Sequence, residues 1–99
     1  MPKNALRPIH PGEVLREEFL VPLGLSAHAR AQALRVPATR INDVVNERRA
    51  VAADTALRLA RYFGTTPEFW MNLQAALDLR SAEAGSKAAI ERDVLPRAA

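Results

Sequence analysis

Cysteine is absent from these 99 residues. That excludes disulfide staples, thiolate metal ligands and thiol nucleophiles at once. Aromatic residues are scarce, with one Trp, one Tyr and three Phe. β-Branched residues are also few, so helix is a better default than strand. None of the four glycines belongs to a glycine-rich phosphate loop. No apolar run approaches a bilayer span, and the N-terminus lacks the apolar core of a secretory signal. The expectation is a soluble, cytoplasmic protein with no membrane partner.

Catalytic groupings are equally sparse. The only histidines, His10 and His28, lie at the starts of different helices with no nucleophile at a suggestive position. Glu17 and Glu18 are neighbours on a helix and point apart, which argues against a shared acid-base site. No metal-ligand spacing occurs. The expectation is therefore no enzymatic activity, no metal and no cofactor.

What the chain does have is apolar content of 48%, much of it Ala and Leu. A single domain of this size can bury about 60–65% of its unfolded surface, enough for one modest core. The net charge is only +3, but it is unevenly placed. Residues 26–49 hold five arginines against two acids, and the remainder holds nine of each sign. A solvated basic face would look the same. So mild a charge leaves phosphate neutralisation alone unable to carry tight DNA binding, and a dimer with two such faces would do better.

Five helices follow from the periodicity. Lys3 and Arg7 belong to a basic arm. His10 caps a first helix with Pro11 at its first position and Glu13 placed for a capping box, running to about residue 20 and burying Val14, Leu15 and Phe19. Ile9 can staple onto Val14. Pro22 and Gly24 end it. Ser26 caps a second helix over about 26–34, with Ala31 and Leu34 inward. Arg35, Val36 and Pro37 form a turn into a third helix over about 38–46. A fourth spans roughly 53–63, with Ala56, Leu59, Ala60 and Phe63 in an amphipathic stripe. Gly64 stops it, and Thr66, Pro67 and Glu68 restart a fifth. The fifth carries Phe69, Trp70, Leu73 and Leu77 to about residue 81. The aromatic cluster of Phe63, Phe69 and Trp70 is expected to be core. Gly85 and Ser86 interrupt the pattern, and 90–95 is ambiguous between a helical turn and an extended segment. The fold class is all-α, with residues 1–80 as the main unit. Residues 81–99 form a short C-terminal tail, the candidate dimerisation segment.

The third helix is the most informative element. Ile41, Val44 and Val45 fall on its inner face, and Thr39, Arg40, Asn42, Asp43 and Asn46 fall on the other. With the preceding short helix and tight turn, this is a helix-turn-helix pattern, whose second helix enters the DNA major groove. Ala38, Thr39, Arg40, Asn42 and Asp43 occupy the presenting positions. Arg40 could fork onto a guanine, Asn42 onto an adenine, and Asp43 could accept from a cytosine. Ala38 and Thr39 could touch a thymine methyl. Each bidentate pairing would supply about 1–3 kcal/mol of discrimination. Asn46, Arg48 and Arg49 are placed for phosphates. For Asp43 the equally weighted alternative is an intrahelical ion pair with Arg40, three residues away. For Arg48 and Arg49 the alternative is a solvated loop.

A family resemblance then emerges. The string His10-Pro11-Gly12-Glu13-Val14-Leu15-Arg16-Glu17-Glu18-Phe19-Leu20, followed by Leu23-Gly24-Leu25-Ser26, resembles the start of HigA-type antitoxins. So do Arg40-Ile41-Asn42, Ala53-Asp54-Thr55-Ala56-Leu57-Arg58-Leu59-Ala60-Arg61-Tyr62-Phe63-Gly64-Thr65 and Pro67-Glu68-Phe69-Trp70-Met71-Asn72-Leu73-Gln74. The likeness covers about residues 7–80, and 90–97 is similar to the tail of some members. It implies a lambda-repressor-like (XRE) helix-turn-helix fold. It implies a homodimer on a palindromic, double-stranded operator, repressing its own operon. It also implies a partner toxin of the HigB or RelE type, an mRNA endonuclease that the antitoxin silences.

Several positions depart from that family's pattern. Ala27 stands where a Gln helps fix the DNA register, Arg30 where a Leu is usual, Arg35 and Glu47 where Gly is usual, and Ala52 where a Thr cap is usual. Arg30 either alters the inner face or stretches outward. A left-handed Arg35 would cost roughly 1 kcal/mol relative to Gly, and the missing cap about 1 kcal/mol. Two alternative functions remain beside the antitoxin reading. One is a helix-turn-helix repressor without a toxin. The other is a protein-sequestering module that has lost DNA binding, a reading that Ala27 and the small charge favour slightly.

Overall fold

The computed structural model of the protein describes residues 8–98, so the basic arm of Lys3 and Arg7 lies outside the described residues. All regular structure among the described residues is helical. Helix α1 begins as Pro11–Val14 and continues as a π-helical turn, Leu15–Leu20. It is followed by α2 (Ala27–Leu34), α3 (Ala38–Val45), α4 (Ala53–Phe63) and α5 (Pro67–Asp93). No helix among the described residues is long and apolar enough to cross a membrane.

The caps follow the local chemistry. His10 Nδ1 accepts from the Gly12 amide at 2.8 Å, Ser26 Oγ from Ala29 at 3.1 Å, and Thr66 Oγ1 from Phe69 at 3.1 Å. Ala52 leaves α4 without a side-chain cap. Four helices end in the left-handed region, at Gly24, Arg35, Glu47 and Gly64, with φ between 61° and 75°. Behind α3, Glu47 N–H donates to the Val44 carbonyl at 2.9 Å and Arg48 N–H to that of Asp43 at 2.7 Å. This is the paired closure of a Schellman motif, and α2 ends the same way through Arg35 and Val36. Glycine would be unstrained at both positions, whereas each side chain costs about 1–2 kcal/mol there.

Two boundaries differ from the sequence-based expectation. In α1 the Val21 amide reaches the Arg16 carbonyl at 2.9 Å, five residues back. The wider π turn brings residues five apart onto one face. Leu20 therefore joins Leu15 in the core, while Val14 and Phe19 sit at its margin. The second difference is α5, expected to end near residue 81. It continues unbroken through Gly85 and Ser86 to Asp93, and Val94 turns extended. One glycine in a helix costs only about 1 kcal/mol, and it lies among strong helix formers, with an Arg80–Glu83 pair at 3.2 Å.

The core joins Leu15 and Leu20 to Ala31 and Leu34 of α2, Ile41, Val44 and Val45 of α3, Ala56 and Leu59 of α4, and Trp70 of α5. Trp70 is fully buried, and its indole N–H donates to Thr65 Oγ1 at 2.8 Å. Phe19 lies against it with Phe63 and Phe69, ring centroids 4.9–6.3 Å from that of Phe19. Of the cluster expected to be core, only Trp70 is fully buried; Phe63 packs against the core from its margin, and Phe69 is 39% exposed. Gln74 Oε1 accepts the buried Val51 amide at 2.8 Å, tying the loop after α3 to α5.

Candidate nucleic-acid interface

Helix α3 keeps Ile41, Val44 and Val45 buried. That fixes its rotation and leaves Thr39 and Asn46 exposed, with Ala38, Arg40, Asn42 and Asp43 at the half-buried edges. Arg48 and Arg49 follow on the exposed loop. All eight expected residues therefore share one end-to-end surface built on α3 and its C-terminal turn.

The position of α3 is set by α1 and α4. Gly12 packs so closely on its last turn that an added Cβ would lie 1.7 Å from the Val44 carbonyl oxygen. Arg16 donates through Nη1 to the Val45 carbonyl, one of the otherwise orphaned acceptors at the helix end. Its Nη2 pairs with Glu47 at 3.2 Å and its Nε with Glu17 at 2.9 Å. These carboxylates, Glu17 first, hold the guanidinium protonated against some desolvation. His10, beside the same junction, is pushed below its ordinary value of 6.5, chiefly by desolvation, with the charge of Glu47 opposing.

On the other side, Arg58 of α4 donates to the Leu34 carbonyl at 2.9 Å and to that of Arg35 at 3.4 Å, closing the turn between α2 and α3. Its Nε pairs with Asp54 Oδ2 at 2.8 Å, and the same oxygen accepts from Arg40 Nη1 at 2.9 Å. The hydrogen bond from Arg58, helped by the charges of both arginines, holds the Asp54 carboxyl below its usual range.

Of the two readings left open for Asp43, the intrahelical ion pair is not formed. Asp43 does not pair with Arg40. It faces Arg48 at 3.0 Å and Arg49 at 3.9 Å. The left-handed residue Glu47 folds the chain back and brings those arginines beside it, while Asp54 draws Arg40 the other way. Asn46 donates to the Asn42 carbonyl at 2.8 Å. Arg30 lies half-buried along Tyr62: its Nη1 donates to Tyr62 Oη, its guanidinium carbon lies 5.4 Å from the Tyr62 ring centroid, and its buried Nε has no hydrogen-bond partner among the described residues.

Three supporting residues escaped the sequence reading: Arg16, Asp54 and Arg58. The i, i+4 spacing of Asp54 and Arg58 was a legible signal for an ion pair. Nothing local signals that Arg58 reaches the α2 carbonyls. Among the described residues no group of three or more His, Asp or Glu could hold a metal ion.

Known proteins share this fold. A helix-turn-helix family model matches residues 15–70. Virulence-associated protein I of Dichelobacter nodosus is 59% identical over 82% of this chain and 75% of its own length. The structure of Pseudomonas aeruginosa antitoxin HigA with the higBA promoter is 49% identical, covering 93% of this chain and 100% of that one, with a TM-score of 0.90. The structure of antitoxin GraA in complex with its operator is 52% identical over 94% of each chain, with a TM-score of 0.89.

Proposed function

This chain belongs to the helix-turn-helix family, and from that membership we propose that it is a DNA-binding antitoxin that represses its own operon. One observation carries the reading. The fold matches, over nearly its whole length, antitoxins solved on promoter and operator DNA at about half sequence identity; that α3 leaves Thr39 exposed and Arg40, Asn42 and Asp43 half-buried supports them as the residues that meet base edges. Ala38 and Thr39 face thymine methyls, Arg40 a guanine, and Asn42 and Asp43 the adjoining bases, while Asn46, Arg48 and Arg49 hold phosphates.

The protein works as a cytoplasmic homodimer, setting two α3 edges roughly 34 Å apart on successive major-groove faces. The distal part of α5 leaves Leu79 and Ile90 exposed, and Val94 and Leu95 behind its end are exposed as well, which supports the C-terminal region as the dimer surface. A chain ending at Arg80 should then be monomeric by mass in solution. The protein partner is a HigB- or RelE-like endonuclease toxin.

The deciding experiment is co-expression with the product of the neighbouring reading frame. Growth rescue and co-purification establish the antitoxin. Gel-shift titration on the DNA upstream of the chain's own gene should show salt-dependent binding that Arg40→Ala weakens without loss of helicity. DNA binding with no rescue would leave a repressor without a toxin. Rescue with no DNA binding would leave a sequestering module.

A further inference from the structure

We propose that Asp54 is a positioning residue for base recognition: it holds Arg40 by one guanidinium nitrogen so that the remaining edge is preset to read a guanine. The inference rests on the DNA-binding reading above and adds a specificity role for a residue outside the recognition helix.

The argument starts from an anchored chain of contacts. The Leu34 and Arg35 carbonyls belong to the backbone of the turn that joins α2 to α3, which is closed by the Arg35 and Val36 amides. Arg58 Nη1 is fixed on them at 2.9 and 3.4 Å. Arg58 Nε in turn fixes Asp54 Oδ2 at 2.8 Å, and that oxygen takes Arg40 Nη1 at 2.9 Å. Asp54 is therefore held in place by its own helix neighbour before it meets Arg40.

A guanidinium carries five N–H donors in a rigid fork. Asp54 occupies one of them on Arg40, and among the described residues the Nε and Nη2 groups of Arg40 make no hydrogen bond. Those two form the geometry that matches guanine O6 and N7. A free arginine loses much rotamer freedom when it docks on a base. An arginine already held from behind loses less, and a planar group with a fixed plane discriminates better than a mobile one.

The charge argument points the same way. A carboxylate near a phosphate backbone repels it, so an Asp at this edge is a cost to overall affinity. Its side chain is 59% exposed, yet it carries two arginines. Overall attraction to DNA is weakened by this residue; its place in the first turn of α4 and its pair with Arg58 serve the helix, and what its hold on Arg40 adds is selectivity.

The test is Asp54→Asn in the full chain, read by selection from a pool of random 30-base-pair duplexes and by titration of the selected duplex. Arg40→Ala first identifies the base column that Arg40 reads. Asp54→Asn should flatten that same column, lowering the preference for guanine over the other bases roughly 3- to 10-fold, a fraction of what a bidentate pairing supplies. The ratio between two duplexes cancels the general gain from removing a negative charge. Melting temperature should fall only slightly, because both ion pairs of Asp54 are exposed. Arg58→Lys, which cannot hold both the turn carbonyls and Asp54, should flatten the column in the same direction. If Asp54→Asn changes the affinity of every duplex by one common factor and leaves the guanine column intact, the positioning role is wrong. If the wild-type chain enriches no sequence at all, it is the DNA-binding reading that fails.

Discussion

Gly12 and Val44 meet backbone to backbone: a Cβ on Gly12 would lie 1.7 Å from the Val44 carbonyl oxygen. The start of α1 is thus wedged against the last turn of α3, and the angle at which α3 leaves the body depends on a residue without a side chain. The capping of α1 by His10 and the bond from Arg16 to the Val45 carbonyl close the same junction from either side.

Gly12→Ala should therefore be severely destabilising. The clash is with backbone, which has no rotamer to yield, so the cost falls at the upper end of the overpacking range, about 3 kcal/mol. Urea unfolding gives the value. A loss below about 1 kcal/mol would mean that α1 shifts freely against α3.

Arg35→Gly should stabilise. The position is left-handed at φ 61°, its side chain is exposed, and the Schellman closure of α2 uses only backbone groups. Relief of the left-handed strain is worth about 1 kcal/mol, which would raise the melting temperature by roughly 4–8 °C in a domain of this size. An unchanged melting temperature would show that the wild-type turn carries no such strain.

Stability should fall on mild acidification, through His10. Burial makes the folded protein hold the imidazole proton less tightly than the unfolded chain does. Deprotonation thus favours folding. The contribution is complete above the unfolded value of 6.5 and is lost as pH falls from there through the depressed folded value. Protonation would also cost Nδ1 its role as acceptor for the Gly12 amide. His10→Asn keeps an acceptor and should remove this part of the pH dependence in denaturant melts. If the slope between neutral and mildly acidic pH survives the substitution, another group is responsible.

Arg48→Ala with Arg49→Ala should weaken binding to all duplexes alike. Both arginines follow the recognition helix on the exposed loop and hold Asp43 in the free protein. If each neutralises one phosphate, the slope of log affinity against log salt should lessen by about 1.8. Binding that becomes less selective among sequences, with the slope unchanged, would assign them to bases.

Much of this structure was written locally. Ser26 and Thr66 cap as their types and positions indicate, Gly64 ends α4, and Ile41, Val44 and Val45 define the inner face of α3 by their spacing alone. The eight residues expected on the DNA side are exposed or half-buried along α3 and the turn behind it. The partners of those residues were not legible. Arg40 has Asp43 three residues away in sequence and Asp54 fourteen away, and it takes Asp54.

The difference has a physical reason. Helix, cap and inward face depend on residue type and period, because transfer from water and backbone hydrogen bonding act within a few residues. That much the sequence determined by itself. Pairs of half-exposed charges differ by only about 0–1 kcal/mol, too little for sequence spacing to decide between them. Only the tertiary structure decided them, by placing Arg58 on the α2 carbonyls and Asp54 beside it. The π turn of α1 and the close approach of Gly12 to Val44 were settled in the same way, by how helices far apart in sequence fit against each other.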